Sequence, residues 1–411
     1  KAGLSFPIKN RFRFSVKPLP AGSVYGHVES SIFLTDEKQV FKFMALFHSK
    51  AFSFFIKIIS GWNYEIGSVQ NTPLPFGTTI YDNELSELAK SAVFGKREQE
   101  KANEISHLFT VPNIPKAILT NTKKVVFENL EIILERIDNL AYKVYNFGNN
   151  EIIQIDNYLK NIIKTSNDLE DDDDELTEAN ISNGFSDNIS WLVGCVFARW
   201  DIRYATGTKP VPELPDPFAP LPVCPSGMLQ NSQGLPAAPE DVPAGYPLRI
   251  TWGGILCDDE GHPEAIETRA REALRVIWGE RAEAIEAEAC QILGVRSLRE
   301  YFQKPGLFFA EHLARYSKSR RQAPIYWPLS TPSGSYTLWL YYHRLNGQTL
   351  FTCVNDFVEP KLKQVGEEAK SLRLKQGRST QDERELERLT DFERELKDFR
   401  DELLRIAKFW K

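Results

Sequence analysis

Sixteen residues, RYSKSRRQAPIYWPLS from Arg315 to Ser330, place four cations within seven positions, between an apolar helix-like run and an aromatic strand-like run. Lys318, Arg320 and Arg321, with Ser317 and Ser319 among them, can contact phosphates. The cations supply charge, and the hydroxyls and backbone amides supply short hydrogen bonds. The same residues also fit a solvated loop between two elements. Tyr326 and Trp327 can stack on a base, although their strand-like context favours the core. Near the other end of the chain, Arg11 and Arg13 alternate with Phe12 and Phe14. A strand with that pattern has one basic and one buried face. It either aims arginines at a DNA major groove or forms an ordinary amphipathic edge. His343 and Arg344 precede an Asn346-Gly347 turn and belong near the opening stretch. Arg199, Arg203 and Lys209 cluster at a helix end, where complementation of the helix dipole is a sufficient explanation. His27, between two expected strands, reads as structural.

No enzymatic constellation is complete. The sequence has no GxGxxG and no GxxxxGK[ST], and ATGTKP only imitates the end of a phosphate loop: the upstream Gly is missing and Pro210 follows Lys209. There is no GxSxG and no HExxH. Cys257 and His262 flank an acidic turn, but zinc needs about four ligands and the rest are missing, so no metal is expected. An Asp/Asn-Pro-Pro-Tyr/Phe loop would hold a flipped base for amino-methylation, and the chain contains no Pro-Pro dipeptide. Asp216-Pro217-Phe218 lies in a Pro-rich connector, and Glu395-Leu396-Lys397 in a charged helix.

The elements that must position these residues alternate in type, giving an α/β (mixed α+β), multidomain fold class. Residues 1–80 read as strand–helix–strand. NRFRFSVKPLP and GSVYGHVESSIFLT have β character. Residues 36–60 follow helical spacing with Asp36 as cap, and YEIGSVQNTPLP returns to strand before Pro73 and Pro75. Residues 81–207 are a helical middle, interrupted by the acidic run Asp171–Asp174, whose like charges repel and predict a disordered surface loop. Residues 208–247 are rich in Pro and Gly and predict a semi-extended linker. Residues 248–358 form an α/β unit. In it Ser297 and Glu300 suit a capping box, a helix pair breaks near Gly279, and Asn346-Gly347 predicts a β-hairpin between SYTLWLYYHRL and QTLFTCVNDF. Residues 359–411 predict a charged helical hairpin, with Leu386, Leu389, Phe392, Leu396, Phe399, Leu403 and Ile406 on one stripe.

Bulk properties narrow the partners. The 411 residues carry a net charge of −6, with 42% hydrophobic and 26% charged residues. Those values fit a globular protein and exclude a general polyanion-binding field, so any nucleic-acid contact is a local patch. Five scattered cysteines without a CxxC point to a reducing, cytoplasmic setting. No apolar run is long enough for a membrane span. The first residues, KAGLSFPIKNRFRF, read as if cut from something longer.

Several ordered blocks, taken together, carry a family resemblance. RYSKSRRQAPIYWPLST, GSYTLWLYYHRL and TLFTCVNDFVEPKLKQV follow one another. ISWLVGCVFARWDIRYATG, HPE…ALRVIWGERAEAIEAEACQILGV and SLREYFQKP precede them. Residues 185–411 thereby resemble the C-terminal region of the large adenine-specific DNA methyltransferases of bacterial phage defence, the BREX or phage-growth-limitation type with relatives in DISARM systems. GHVESSIFL, FMALFHSKAFSFFIKII and YEIGSVQNTPLP resemble the tail of a target-recognition domain. The resemblance implies double-stranded DNA as partner, other defence-system proteins as further partners, a bacterial cytoplasmic setting, and S-adenosylmethionine as cofactor of the full-length parent. It places catalytic and cofactor residues N-terminal to this chain, so none is expected here and the chain by itself is expected to be inactive. The DNA-contact residues expected are Arg11, Arg13, Lys318, Arg320, Arg321, His343 and Arg344. The alternative is a protein-interaction module, with the charged tail and the linker docking other defence proteins.

Overall fold

A computed structural model describes residues 1–10, 13–24, 26, 29–75, 77–113, 129–167, 184–317 and 321–409. Arg11, Phe12, His27, the acidic run 171–174, Lys318 and Arg320 lie outside the described residues. The fold is mixed α and β and divides into two compact units.

The first unit comprises Lys1–Phe109, the described part of Thr120–Leu176, and Pro212–Ser226. Three short strands, β1 (Gly3–Pro7), β2 (Lys17–Leu19) and β3 (Glu29–Ile32), make an antiparallel sheet in the order β2-β1-β3, with Leu4 opposite both Pro18 and Ile32. Phe14 sits outside any strand, yet it organises the core. Its ring meets Phe6 at 5.4 Å, Phe52 at 5.0 Å, Tyr64 at 5.1 Å and Phe47 at 6.0 Å.

The helix expected over residues 36–60 is two helices, α1 (Val40–His48) and α2 (Lys50–Ser60), bent by 69°. Asp36 caps the 3-10 turn before α1, as its side chain predicts. The break is made by Ser49, whose backbone is extended. Its hydroxyl accepts from Phe52 N at 3.2 Å and donates to the Leu46 carbonyl at 2.6 Å. The expected strand over YEIGSVQNTPLP is instead the helix α3 (Ile66–Asn71). Only Val69 of its side chains is buried, so there is no alternating face to lay against a sheet, and one helical turn meets the requirement. Helices α4 (Asp82–Glu100), α5 (Leu130–Val144) and α6 (Asn149–Asn167) complete the unit, closing Leu85, Leu88, Ile133, Ile137 and Leu159 over the same core.

The second unit comprises the described parts of Thr110–Leu119 and Thr177–Val211, and Gly227–Lys411. Its helices are α7 (Gly184–Val196), α8 (Arg203–Thr206), α9 (Ile266–Trp278), α10 (Ala282–Ile292), α11 (Leu298–Gln303), α12 (Phe308–Tyr316), α13 (Thr349–Thr352), α14 (Glu359–Leu374) and α15 (Thr380–Phe409). Strands β4 (Ile255–Cys257), β5 (Tyr326–Ser330) and β6 (Thr337–Tyr341) form an antiparallel sheet in the order β4-β6-β5.

Side chains alternate across this sheet, and each face finds its own helical layer. Tyr326, Trp339 and Tyr341 face the α7 and α12 side, where Phe197, Phe308 and His312 receive them. Ile255, Cys257, Leu338 and Leu340 face the tail, packing with Val354, Phe357, Leu396, Phe399 and Leu403. The tail is a helical hairpin, α14 against α15, and the pair α9–α10 breaks at Gly279, both as the spacing predicts. Ser297 caps α11 as expected, while Glu300 reaches Arg296 N at 2.7 Å.

The hairpin at Asn346-Gly347 is not formed. QTLFTCVNDF folds as α13 followed by a π-helical turn, Cys353–Val358, that runs into α14. Asn346 Oδ1 accepts from Gln348 N at 2.8 Å and its carbonyl accepts from Thr349 N at 3.1 Å, a helix entry rather than a reverse turn. The hairpin of this unit joins β5 to β6 through TPSGSY, with Gly334 at φ +73° and Thr331 N bonded to the Tyr336 carbonyl at 3.0 Å.

The Pro-rich segment carries no helix beyond a 3-10 turn at Pro239–Asp241, and part of it is packed while Val211, Leu221 and Val223 are exposed. Within the second unit Leu229 and Ala237 close on Ala198, with Tyr246, Ile250 and Trp252 around them. No single helix among the described residues is long and apolar enough to cross a membrane; α1 and α2 together pass on length and composition, and their apolar residues form the core of the first unit.

Candidate nucleic-acid interface

The loop before β5 is pinned on both flanks. On the α12 side, Arg315 closes on Asp187 at 2.6 Å, and the Arg199 guanidinium lies 5.0 Å from the Tyr316 ring. On the strand side, the buried His312 accepts from Ile325 N at 2.8 Å and Tyr326 N at 3.1 Å through Nε2, while its ring stacks on Tyr326. Arg321 is exposed and has no ion-pair partner among the described residues. The two aromatics diverge: Tyr326 is fully buried, as its context predicts, whereas Trp327 is 43% exposed because β5 is the edge of its sheet.

His343 and Arg344 follow β6 in a 3-10 turn, Tyr342–Arg344, and the ladder brings them close to this loop: Tyr342 N donates to the Ile325 carbonyl at 2.8 Å. The exposed His343 ring packs edge-on against Tyr341 at 5.6 Å and Tyr342 at 5.4 Å. Desolvation, and then the charge of Arg199, hold its pKa below the usual histidine value. It therefore presents a neutral imidazole at neutral pH rather than a phosphate-binding cation. Arg344 turns inward. Its guanidinium lies 4.8 Å from the Trp252 ring and donates to the Ala237 carbonyl at 3.3 Å. Gly254, at φ +67°, makes room for this, since a Cβ there would stand 2.6 Å from Arg344 Cβ.

Arg13, in the first unit, is committed to Asp138, with Nη1–Oδ1 at 3.3 Å and Nη2–Oδ2 at 2.8 Å. Asp138 is buried and also takes Lys50 N at 2.8 Å. Burial pushes its carboxyl up, opposed by Arg13 and Lys50. The cationic cluster after α7 likewise closes on a carboxylate that sequence reading passed over. Asp201, fully buried, accepts from Arg203 Nε at 2.9 Å, Arg203 Nη2 at 2.8 Å and Lys209 Nζ at 3.0 Å. Burial alone would raise this carboxyl, but the hydrogen bonds from Arg203 and Lys209 outweigh it and hold it below the usual range. Arg199 stacks on Trp200 at 4.5 Å. Neither Arg203 nor Lys209 needs a helix dipole to explain it. A lone Asp in the apolar run FARWDIRY was the available signal, because a buried carboxylate demands paired cations.

Several α15 cations are matched within their own helix: Arg388 with Glu385, Lys397 with Glu393, Arg405 with Glu402 and Arg394 with Asp391, at 2.5 to 3.1 Å. This is a solvated, self-neutralised face. Cys257 donates to the Glu264 carbonyl, and His262 accepts from Glu264 N at 3.0 Å. Among the described residues no cluster of three or more His, Cys, Asp or Glu is placed to hold a metal ion.

At the β5 side of the second unit, Arg321 stands exposed without an ion-pair partner among the described residues, next in the chain to Lys318 and Arg320, which lie outside them. No protein-family model matches the chain. Two curated proteins do. The chain is 24% identical over 380 residues to the adenine-specific methyltransferase BrxX of Escherichia coli O9:H4 (strain HS), covering 85% of this chain and 29% of that protein. It is also 24% identical over 368 residues to the adenine-specific methyltransferase PglX of Lacticaseibacillus casei (strain Zhang), covering 84% and 27%.

The chain is similar to part of each of these adenine-specific methyltransferases, BrxX and PglX. It spans between a quarter and a third of the length of these two proteins. The match of BrxX and PglX to most of the chain accords with the family resemblance carried by the blocks from Ile189 to Val365.

Proposed function

We propose that this chain is the DNA-recognition and scaffold region, C-terminal in its parent, of a site-specific N6-adenine DNA methyltransferase of a phage-defence system. The catalytic domain, with S-adenosylmethionine and an Asn-Pro-Pro-Tyr loop, lies in parts of that protein outside these residues. One observation carries this reading: most of the chain matches less than a third of two adenine-specific methyltransferases, and the part matched contains no Pro-Pro dipeptide on which methylation chemistry could be built.

The division of labour is physical. The first unit, with its small sheet and aromatic core, reads bases. Cations of the loop before β5, Arg321 and its neighbours Lys318 and Arg320, grip phosphates and fix the register of the duplex. Methylome sequencing of a host carrying the whole gene tests the reading. It predicts N6-methyladenine at one non-palindromic site, and a different site, or none, when residues 1–80 are exchanged for those of a relative. Unchanged methylation at the original site after that exchange contradicts recognition by this unit.

A further inference from the structure

Trp327 is misplaced by the logic of its own strand. It pairs with Leu340 on the sheet face that the helical tail covers, and Leu340 is 4% exposed where Trp327 is 43% exposed. Among the described residues no aromatic ring stacks on it. The ladder makes Tyr342, 55% exposed, its diagonal neighbour: Trp327 stands opposite Leu340, and Tyr342 lies two residues on, bonded to Ile325. Diagonal pairs in an antiparallel ladder stand about 7–8 Å apart, within reach of aromatic side chains. The His343 ring lies edge-on to that of Tyr342, with centroids 5.4 Å apart.

Cations stand on the chain segments that flank this pair. Arg321 is exposed without an ion-pair partner among the described residues, Arg199 adds a positive field that reaches His343, and Asp187 is neutralised by Arg315. A solvated edge strand explains the cations but not two large exposed rings on neighbouring positions of the ladder.

We propose that Trp327 and Tyr342 stack on the bases of a locally unpaired DNA strand, with Arg321 meeting its phosphates. A duplex hides the faces of its bases, so exposed rings flanked by cations suit a single strand. The inference rests on the DNA-binding reading above and narrows the β5 edge to the unpaired strand.

The test measures affinity of the full chain at low salt for fluorescent oligothymidine and, in parallel, for a duplex. The double variant Trp327→Ala/Tyr342→Ala should lose about tenfold or more for oligothymidine, as expected for two lost base stacks, and change less than about twofold for duplex. Trp327→Phe should retain most of the single-strand affinity, and Arg321→Gln should flatten the salt dependence of single-strand binding. Oligothymidine affinity unchanged in the double variant, or absent in the wild type, overturns the inference and leaves the rings to a protein partner. Duplex affinity absent in the wild type with oligothymidine binding intact overturns the duplex reading but not the stacking.

Discussion

Arg13 and Asp201 are the residues at which charge does structural work. Alternation with phenylalanines points Arg13 toward DNA, whereas its guanidinium holds the buried carboxylate of Asp138. Removing it leaves Asp138 buried without its main cation. Arg13→Ala should therefore lose on the order of 2 kcal/mol of stability, less than a fully buried pair would cost because the Arg13 side chain is 32% exposed. Chemical denaturation measures this, and no change in midpoint would show the pair to be incidental. For Asp201 the sign follows from its depressed pKa. A carboxyl held below its unfolded value contributes stability that is present above about pH 4 and is lost as pH falls through the folded pKa. Asp201→Asn should destabilise by about 3 kcal/mol at pH 7, with the gap from wild type closing on acidification. A gap that stays constant down to pH 3 contradicts the ion cluster. Both partnerships were hard to see in sequence because their members are far apart or read as one cationic patch; only the carboxylate inside an apolar stretch betrays them.

Among the elements, helices with sustained spacing or a clear cap were legible, and short apolar runs without either were not. The tail hairpin and α5 follow 3.6-residue spacing over many turns, and the break near Gly279 has a glycine to announce it. TLFTCVNDF is short, apolar and rich in β-branched and aromatic residues. Periodicity cannot separate helix from strand in such a run, and the layer it packs against decided the matter. The Pro332–Gly334 turn that makes the true hairpin was present in the sequence, but Asn346-Gly347 drew the assignment to itself. The break between α1 and α2 depends on one hydroxyl. Ser49→Ala removes the cap of α2 and an acceptor-donor pair in a fully buried place, so it should cost about 1–2 kcal/mol and lower the melting temperature by several degrees. A melt indistinguishable from wild type would mean that core packing alone sets the bend.

At the scale of the whole molecule, a net charge of −6 requires any DNA contact to be local. In the second unit several tail cations are matched and Arg344 is turned inward, whereas Arg321 is exposed without an ion-pair partner among the described residues. The family resemblance was legible in the ordered blocks of the sequence, because a long series of turns, caps and core positions is a fuller signature than any single site. The interface was not, since nothing in a sequence tells a paired arginine from a free one. The most direct measurement is duplex affinity of the full chain as a function of salt, for wild type and for Lys318→Gln/Arg320→Gln/Arg321→Gln. If these cations grip phosphates, the wild type binds duplex and the variant's log-affinity against log-salt slope is shallower by up to about three units, roughly one per lost contact. An affinity and slope identical in the two proteins would contradict the account.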